Sequence, residues 1–390
     1  MDPLIYIIAG EPSGDLLGGR LMAALKERSH GRIRFAGIGG AAMARQGLDS
    51  LFPMTELTVM GLTEVLPRIP RILRRVRETV ADIVRSQPAA VVSIDSLGFT
   101  GRVQDACRRR CGHIPRIHYV APMVWAWKPE RAAKLARKVD LLLTLLPFEP
   151  PYFQREGLAA IHVGHPVVES GAGQGDGAAF RRRHGLAEDT PVLVLLPGSR
   201  RSEISALLAV FGQVLERLRP DHPALRVVVP TLPHLAAAVR RAAGGWPCAP
   251  LVLEGDGEKY DAFAAGDAAL AASGTVALEL ALAGLPTVIA YRLSPLTAFL
   301  ARRLFGFRIK WATLVNMVLD REVMADFLQE ECRAERTAPA VHAMLTDRAG
   351  RVARRAAMAE AMAELGMGGP SPSDRAAQTI LDHIAERRRP

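Results

Sequence analysis

Ser273, Gly274 and Thr275, with Glu279 four residues further on, have the types and spacing to hold a nucleotide. They follow the strand-like run Ala268-Ala269-Leu270-Ala271 and open an apolar helix over residues 276–282. A strand that ends in Ser-Gly-Thr at a helix start leaves backbone N–H groups aimed outward, and the helix dipole adds to their attraction for a phosphate. Gly274 lets a ligand approach the backbone closely, and the hydroxyls of Ser273 and Thr275 can add donors. Glu279 lies on the same helix face as Thr275, about 6 Å along. A carboxylate there would repel phosphate but accept both hydroxyls of a ribose just beyond it. The alternative is an ordinary N-cap followed by a surface Glu. A capping box, however, places the acid three residues after the cap, whereas here the step is four.

Three further segments carry polar groups at strand ends. Gly10-Glu11-Pro12-Ser13-Gly14-Asp15 follows the first apolar run and precedes a helix, so it is either a tight capping turn or a pair of carboxylates at a strand's carboxyl end. Asp95 closes Val91-Val92-Ser93-Ile94-Asp95. An acid leaving a buried strand is a candidate general base, since partial burial raises its pKa, although a loop Asp that caps the next helix fits equally. Leu196-Pro197-Gly198-Ser199-Arg200 ends another strand, with Arg200 placed for a bidentate bond to phosphate. The segment from His118 to Lys128 holds Trp125 and Trp127; in a loop their rings could line an apolar or sugar-binding wall.

The elements that must position these residues alternate. Strands are expected at 4–9, 33–38, 90–94, 116–120, 141–145 and 160–163, then at 192–196, 226–229, 250–253, 267–271 and 287–290, with amphipathic helices between. That rhythm predicts α/β architecture with two Rossmann-like domains, each a parallel, doubly wound sheet whose ligands bind beyond the carboxyl ends of its strands, facing a cleft. The expected divisions are 1–168, 178–338 and an Ala/Arg-rich helical segment at 339–390 that packs back on the first domain, with the four glycines of 171–177 as a linker. A chain of 390 residues exceeds one ordinary core, and 49% hydrophobic with 23% charged residues excludes a disordered protein. The net charge of +10 favours anionic partners: nucleotides, phosphorylated lipids, anionic membranes or nucleic acid. Cys107 and Cys111, one helical turn apart, lack further ligands at zinc-site spacing and read as reduced thiols. The N-terminus has no basic n-region, which argues against a signal peptide, and the apolar residues 262–290 are interrupted by Asp267, Glu279 and glycines.

The motifs GEPSGD, HYVAPMVWAWK, LPGSRRSE and ASGTVALE, in this order, resemble those of the lipid-A-disaccharide synthase family, inverting glycosyltransferases of GT-B architecture, and the resemblance runs from about residue 4 to about 385. It implies transfer of the glucosaminyl unit of UDP-2,3-diacylglucosamine to 2,3-diacylglucosamine 1-phosphate, with no metal and no cofactor. Asp95 would act as the base, and Glu11, Ser13 and Gly14 would form the acceptor-side loop. Arg200, Ser273, Gly274, Thr275, Glu279 and Asn316 would bind the UDP-sugar. Two departures matter. Where the family usually reads Ser/Ala-Pro-Asp/Glu-Phe-Asn after the base, this chain has Ser96-Leu97-Gly98-Phe99-Thr100; and Leu-Pro-Asn becomes Leu314-Val315-Asn316.

Acylated substrates require access to a bilayer, so a peripheral position on the cytoplasmic face of the inner membrane is expected; a homodimer is compatible with the chain. Leu66, Ile69, Leu73, Val76, Val80 and Ile83 form an apolar stripe with Arg68, Arg71, Arg74, Arg75 and Arg77 between, and Pro67 and Pro70 are read as its first turn. Val59, Met60 and Leu62 supply an adjoining apolar segment for an anionic surface. The same stripe would suit a helix packed on the sheet. Two other readings stay open: another UDP-sugar GT-B enzyme, whether a polar-sugar transferase or an epimerase, and a non-catalytic nucleotide or nucleic-acid binder. Against nucleic acid, no groove-entering or aromatic–basic pattern is present.

Overall fold

Strands such as β1 (Leu4–Ala9) and β7 (Val192–Leu196) are unbroken apolar runs, and β3 (Ala90–Ile94) is interrupted only by Ser93; all three are buried along almost their whole length. Such strands need helices on both faces, the condition met in parallel α/β sheets. The structure, a computed structural model, describes residues 2–57, 62–292 and 310–387. It divides into two units, residues 1–166 with 368–390 and residues 167–367.

In the first unit a six-stranded parallel sheet has the order β2-β1-β3-β4-β5-β6, where β2 is Arg34–Ile38, β4 Arg116–Tyr119, β5 Leu141–Thr144 and β6 Ala159–His162. The helices are α1 (Pro12–Arg28), α2 (Ala41–Arg45), α3 (Leu62–Ser86), α4 (Thr100–Arg110), α5 (Arg131–Ala136) and α6 (Pro150–Gln154). Strand order reverses between β1 and β3, whose ends are level because Ala9 pairs with Ile94. A side chain at Gly10 would come within 2.9 Å of the Ser96 side chain, so only glycine lets the two chains leave their strands this close together.

The second unit repeats the plan with α7 (Gly177–Arg183), β7, α8 (Arg201–Leu218), β8 (Arg226–Thr231), α9 (Pro233–Ala243), β9 (Leu251–Glu254), α10 (Lys259–Ala265), β10 (Ala268–Ala271), α11 (Val276–Leu282), β11 (Thr287–Tyr291), α12 (Leu314–Leu319), β12 (Ala325–Leu328), α13 (Ala334–Thr346) and α14 (Arg348–Glu364). Its sheet order is β12-β11-β10-β7-β8-β9, reversing between β7 and β10, with Ala271 level with Leu196.

Four sequence expectations change. Residues 171–177 are packed rather than a loose linker: a Cβ at Gly175 would sit 2.0 Å from the Tyr260 carbonyl oxygen, and one at Gly177 2.5 Å from that of Ala264. The tail beyond 339 is divided: α15 (Pro372–Arg387) lies on α1 of the first unit as expected, with Arg28 bonded to Asp374 at 2.6 Å, but α13 and α14 pack within the second unit. Pro67 and Pro70 lie inside α3, which starts at Leu62. Finally, β12 is a short edge strand that the sequence reading passed over.

Asp15 is no free acid. Its carboxylate accepts the backbone N–H groups of Gly40, Ala42 and Met43 at 2.7, 2.9 and 3.0 Å, tying the start of α2 to α1. Replacing Asp15 by Ala strands three donors in a part-buried turn, so Asp15→Ala should lower stability by about 1.5–3 kcal/mol. An unchanged urea midpoint would show that this turn is held by other contacts.

Candidate active site

Where β7 and β10 part, their two loops wall a cavity of about 440 Å³, within the usual range for small-ligand sites. One wall is Gly198, Ser199 and Arg200; another is Ser273, Gly274 and Thr275, with Glu279 behind them on α11. Gly198 has φ +111, a conformation that side-chain-bearing residues rarely adopt. A Cβ on Gly274 would meet nothing within 4 Å, so its absence keeps the loop surface low where a ligand would lie. The Ser273 hydroxyl, expected to face a ligand, donates instead to the Ala312 carbonyl at 2.9 Å.

Lys259 escaped the sequence reading. It opens α10 after the turn Gly255-Asp256-Gly257, the same strand–turn–helix signature that marks the other loops, and it lines the cavity. Its ammonium lies 2.6 Å from the Glu279 carboxylate, which also accepts the Tyr260 hydroxyl at 3.4 Å. Glu279 therefore faces the cavity already partnered by a cation. Asn316 does not line it. That side chain is fully buried, donating to the Met324 carbonyl and accepting the N–H groups of Val323 and Met324, so its amide is spent on pinning the turn before β12.

In the first unit the point of reversal brings two acids together. Glu11 leaves β1 and Asp95 leaves β3, and their carboxyl groups are hydrogen-bonded. Burial, then the neighbouring Asp95 charge and its hydrogen bond, push the Glu11 carboxyl above the usual range, opposed by the Ser96 hydroxyl. Asp95 and Ser96 both have positive φ, 48° and 45°. The bonds that hold the strained pair include Asp95 N–H to the Tyr119 carbonyl at 2.9 Å, Thr100 hydroxyl to the Asp95 carbonyl at 2.6 Å, Ser96 N–H to the Asp95 carboxylate at 2.7 Å, and the N–H groups of Phe99 and Thr100 to the Ser96 carbonyl at 2.9 and 3.1 Å. Ser13 is exposed on the first turn of α1, and Gly14 is buried against Ala9 and Ile94.

Residues 121–128 form a loop, in which the two Trp rings take different surroundings. Trp125 packs edge-on against Phe148 and donates from Nε1 to Glu149 at 3.3 Å; Trp127 lies under Lys128 and Arg131. Glu149 also accepts the N–H groups of Leu145 and Leu146, and burial pushes its carboxyl up to about 7 despite those three donors.

The stripe of α3 divides along its length. Val76, Val80 and Ile83 are buried in the core, whereas Ile69 and Leu73 are 39% and 41% exposed. Val59 and Met60 lie outside the described residues, as do the side chains of Leu62 and Leu66. Arg75 is committed inward, paired with Glu56 and Glu78 and stacked over Phe52.

Two six-stranded parallel sheets of this connectivity, each with polar loops at its reversal point, define the GT-B class of fold. A solved structure from Listeria monocytogenes, described as a UDP-N-acetylglucosamine 2-epimerase, superposes with TM-score 0.66 at 14% identity, covering 100% of this chain and 99% of that one. The calicheamicin glycosyltransferase CalG4 superposes with TM-score 0.59 at 17% identity and complete coverage of both chains. At such identities the likeness is one of fold. The family model for lipid-A-disaccharide synthetase matches residues 5–380. A lipid-A-disaccharide synthase of Paramagnetospirillum magneticum is 57% identical over 98% of this chain and 98% of its own. The chain belongs to the lipid-A-disaccharide synthetase family.

The Glu149 proton gives a pH test. A carboxyl that holds its proton more tightly folded than unfolded stabilises the fold at low pH, and this contribution is lost as pH rises from the ordinary glutamate value near 4.5 through about 7. Glu149→Gln, which removes the titrating group but keeps an acceptor for the Trp125 indole, should flatten that part of the urea-midpoint profile. A wild-type profile that is already flat across this window would remove Glu149 as its source.

Proposed function

We infer that this protein builds the lipid A disaccharide. It moves the glucosaminyl unit of UDP-2,3-diacylglucosamine to the 6-hydroxyl of 2,3-diacylglucosamine 1-phosphate, giving the β-1,6-linked disaccharide 1-phosphate and UDP. The observation that carries this reading is family membership over nearly the whole chain, with the expected motifs at both points of strand reversal. The wall of Arg200, residues 273–275 and Glu279 suits UDP: phosphates toward Arg200 and the loop, ribose toward Glu279. Lys259 supplies a second cation to the same cavity.

We propose a single, inverting displacement without a metal. Asp95 takes the proton of the attacking hydroxyl as its oxygen closes on the anomeric carbon and the bond to the UDP oxygen breaks. The Glu11 carboxyl, held above the usual glutamate range by burial and by the neighbouring Asp95, stands beside the proposed base. Charge on the departing diphosphate meets Arg200 and loop N–H groups; each such donor contributes about 2.7–4 kcal/mol by comparison with oxyanion-hole deletions. Product analysis of the purified protein with the two acylated substrates tests the reaction. Asp95→Asn should fold normally and lose about 10²–10⁴ in turnover. Near wild-type kcat would take Asp95 out of the mechanism and turn attention to Glu11.

The acyl chains imply work at an anionic bilayer, as a peripheral protein on the cytoplasmic face. Among the described residues no helix is long and apolar enough to cross a membrane. Exposed Ile69 and Leu73 on α3 alternate with exposed Arg71, Arg74 and Arg77, a combination that serves reversible attachment at about 1 kcal/mol per Arg. Vesicle sedimentation at low and high salt should show the Ile69→Asp, Leu73→Asp double variant losing the part of binding that resists salt, since screening acts on charge alone. Equal salt-resistant binding by both proteins would remove this face from the membrane contact.

A further inference from the structure

Beside Asp95, in the first unit, lies a smaller cavity of about 250 Å³ that the chemistry above leaves unused. One wall is Leu97 and Gly98, in the turn that follows the Asp95–Ser96 pair, with Gly101 from the first turn of α4. Facing them are Arg131, Lys134 and Lys138, brought to one side by three- and four-residue steps along α5 and just past its end. The lining includes no carboxylate. Asp105, whose carboxyl feels the Lys138 charge, is bonded to Arg109. The glycines keep the opposite wall low: a Cβ on Gly101 would stand 3.7 Å from the Lys138 ammonium. Arg131 is held in place over the Trp127 ring, 5.5 Å from its centroid.

Three cations converging on a concave wall without an acid repel one another and favour a compact dianion. A phosphate monoester carries about −1.5 to −2 at pH 7 and offers three strong acceptor oxygens. We propose that this cavity binds the 1-phosphate of the acceptor sugar. The inference rests on the lipid A reading, in which the acceptor's 6-hydroxyl must reach Asp95. A single pyranose ring separates that hydroxyl from the 1-phosphate, and one residue in a turn separates Asp95 from the first residue of the cavity wall. Anchoring the phosphate here would fix the acceptor's direction, presenting O6 to the base and turning the anomeric end away.

The test uses the full-length protein and two acceptors, 2,3-diacylglucosamine 1-phosphate and the same lipid without phosphate, each in detergent micelles. Equilibrium binding and KM are measured for wild type, Lys134→Gln/Lys138→Gln and the charge-keeping Lys134→Arg/Lys138→Arg. The Gln pair should weaken the phosphorylated acceptor by roughly tenfold to a hundredfold, the size expected for lost charge-assisted bonds. It should bind the phosphate-free acceptor as the wild type does, and UDP affinity by calorimetry should be unchanged; the Arg pair should restore the preference. Equal affinity of the Gln pair and the wild type for the phosphorylated acceptor overturns the proposal. So does an equal loss for both acceptors, which would mark a general effect on the fold. Loss of binding to phosphatidylglycerol vesicles with acceptor preference intact would assign the cations to lipid headgroups and overturn it too. A wild type that binds the phosphorylated acceptor through these lysines yet forms no disaccharide would sink the proposed reaction and leave the phosphate site standing.

Discussion

Each sheet of this protein reverses its winding once, and the loops assigned to the proposed transfer leave the sheets at those two places. At a reversal, neighbouring parallel strands send their chains to opposite faces, so the gap beyond their carboxyl ends is left uncovered by either crossover. In the first unit this occurs between β1 and β3, which delivers Glu11 and Asp95 side by side; in the second it occurs between β7 and β10, which delivers the Arg200 and Ser273–Thr275 loops. The register is what makes the gap useful. Ala9 level with Ile94, and Ala271 level with Leu196, bring paired loops out at one height. A slip of one residue would turn every side chain of a strand to the other face and separate the loops.

The acids around these gaps divide into those that hold the backbone and those left to act. Asp15 and Glu149 both sit near loops of interest, and both spend their oxygens on N–H donors. Glu279 stands between the two groups, facing the cavity while paired with Lys259. The Glu11 and Asp95 carboxyl groups instead face each other, an arrangement that burial and like charge make costly unless one proton is retained. The positive φ values at Asp95 and Ser96 belong to the same local strain, borne by the bonds to Tyr119 and Thr100.

Most of this architecture was legible because parallel strands buried on both faces leave unbroken apolar runs, and because strand-to-helix turns leave Gly, Ser and acidic residues. The helix α11 spans Val276–Leu282, the limits its apolar run implies, and most strands end within one or two residues of their apolar runs. What escaped depended on partners outside the local motif. Asn316 has the look of a ligand-binding amide until Val323 and Met324 fold back on it. The glycines at 173–177 look like a flexible linker because the backbones that crowd them belong to residues some 85–110 positions further on. Strand β12 has four residues, Ala-Asp-Phe-Leu, too few and too mixed to signal a strand without β11 beside it.

The path of the chain also orders events during synthesis. The second unit is continuous, whereas the first is interrupted: α15 is translated after the whole of the second unit, yet its place is on α1. A nascent chain thus exposes the apolar flank of α1 while residues 167–367 are still being made. The second unit can close on its own as it emerges, since all its strands are consecutive. The sheet that bears Glu11 and Asp95 is the earlier made and the later sealed, so during that interval it is the half of the protein most dependent on protection from aggregation.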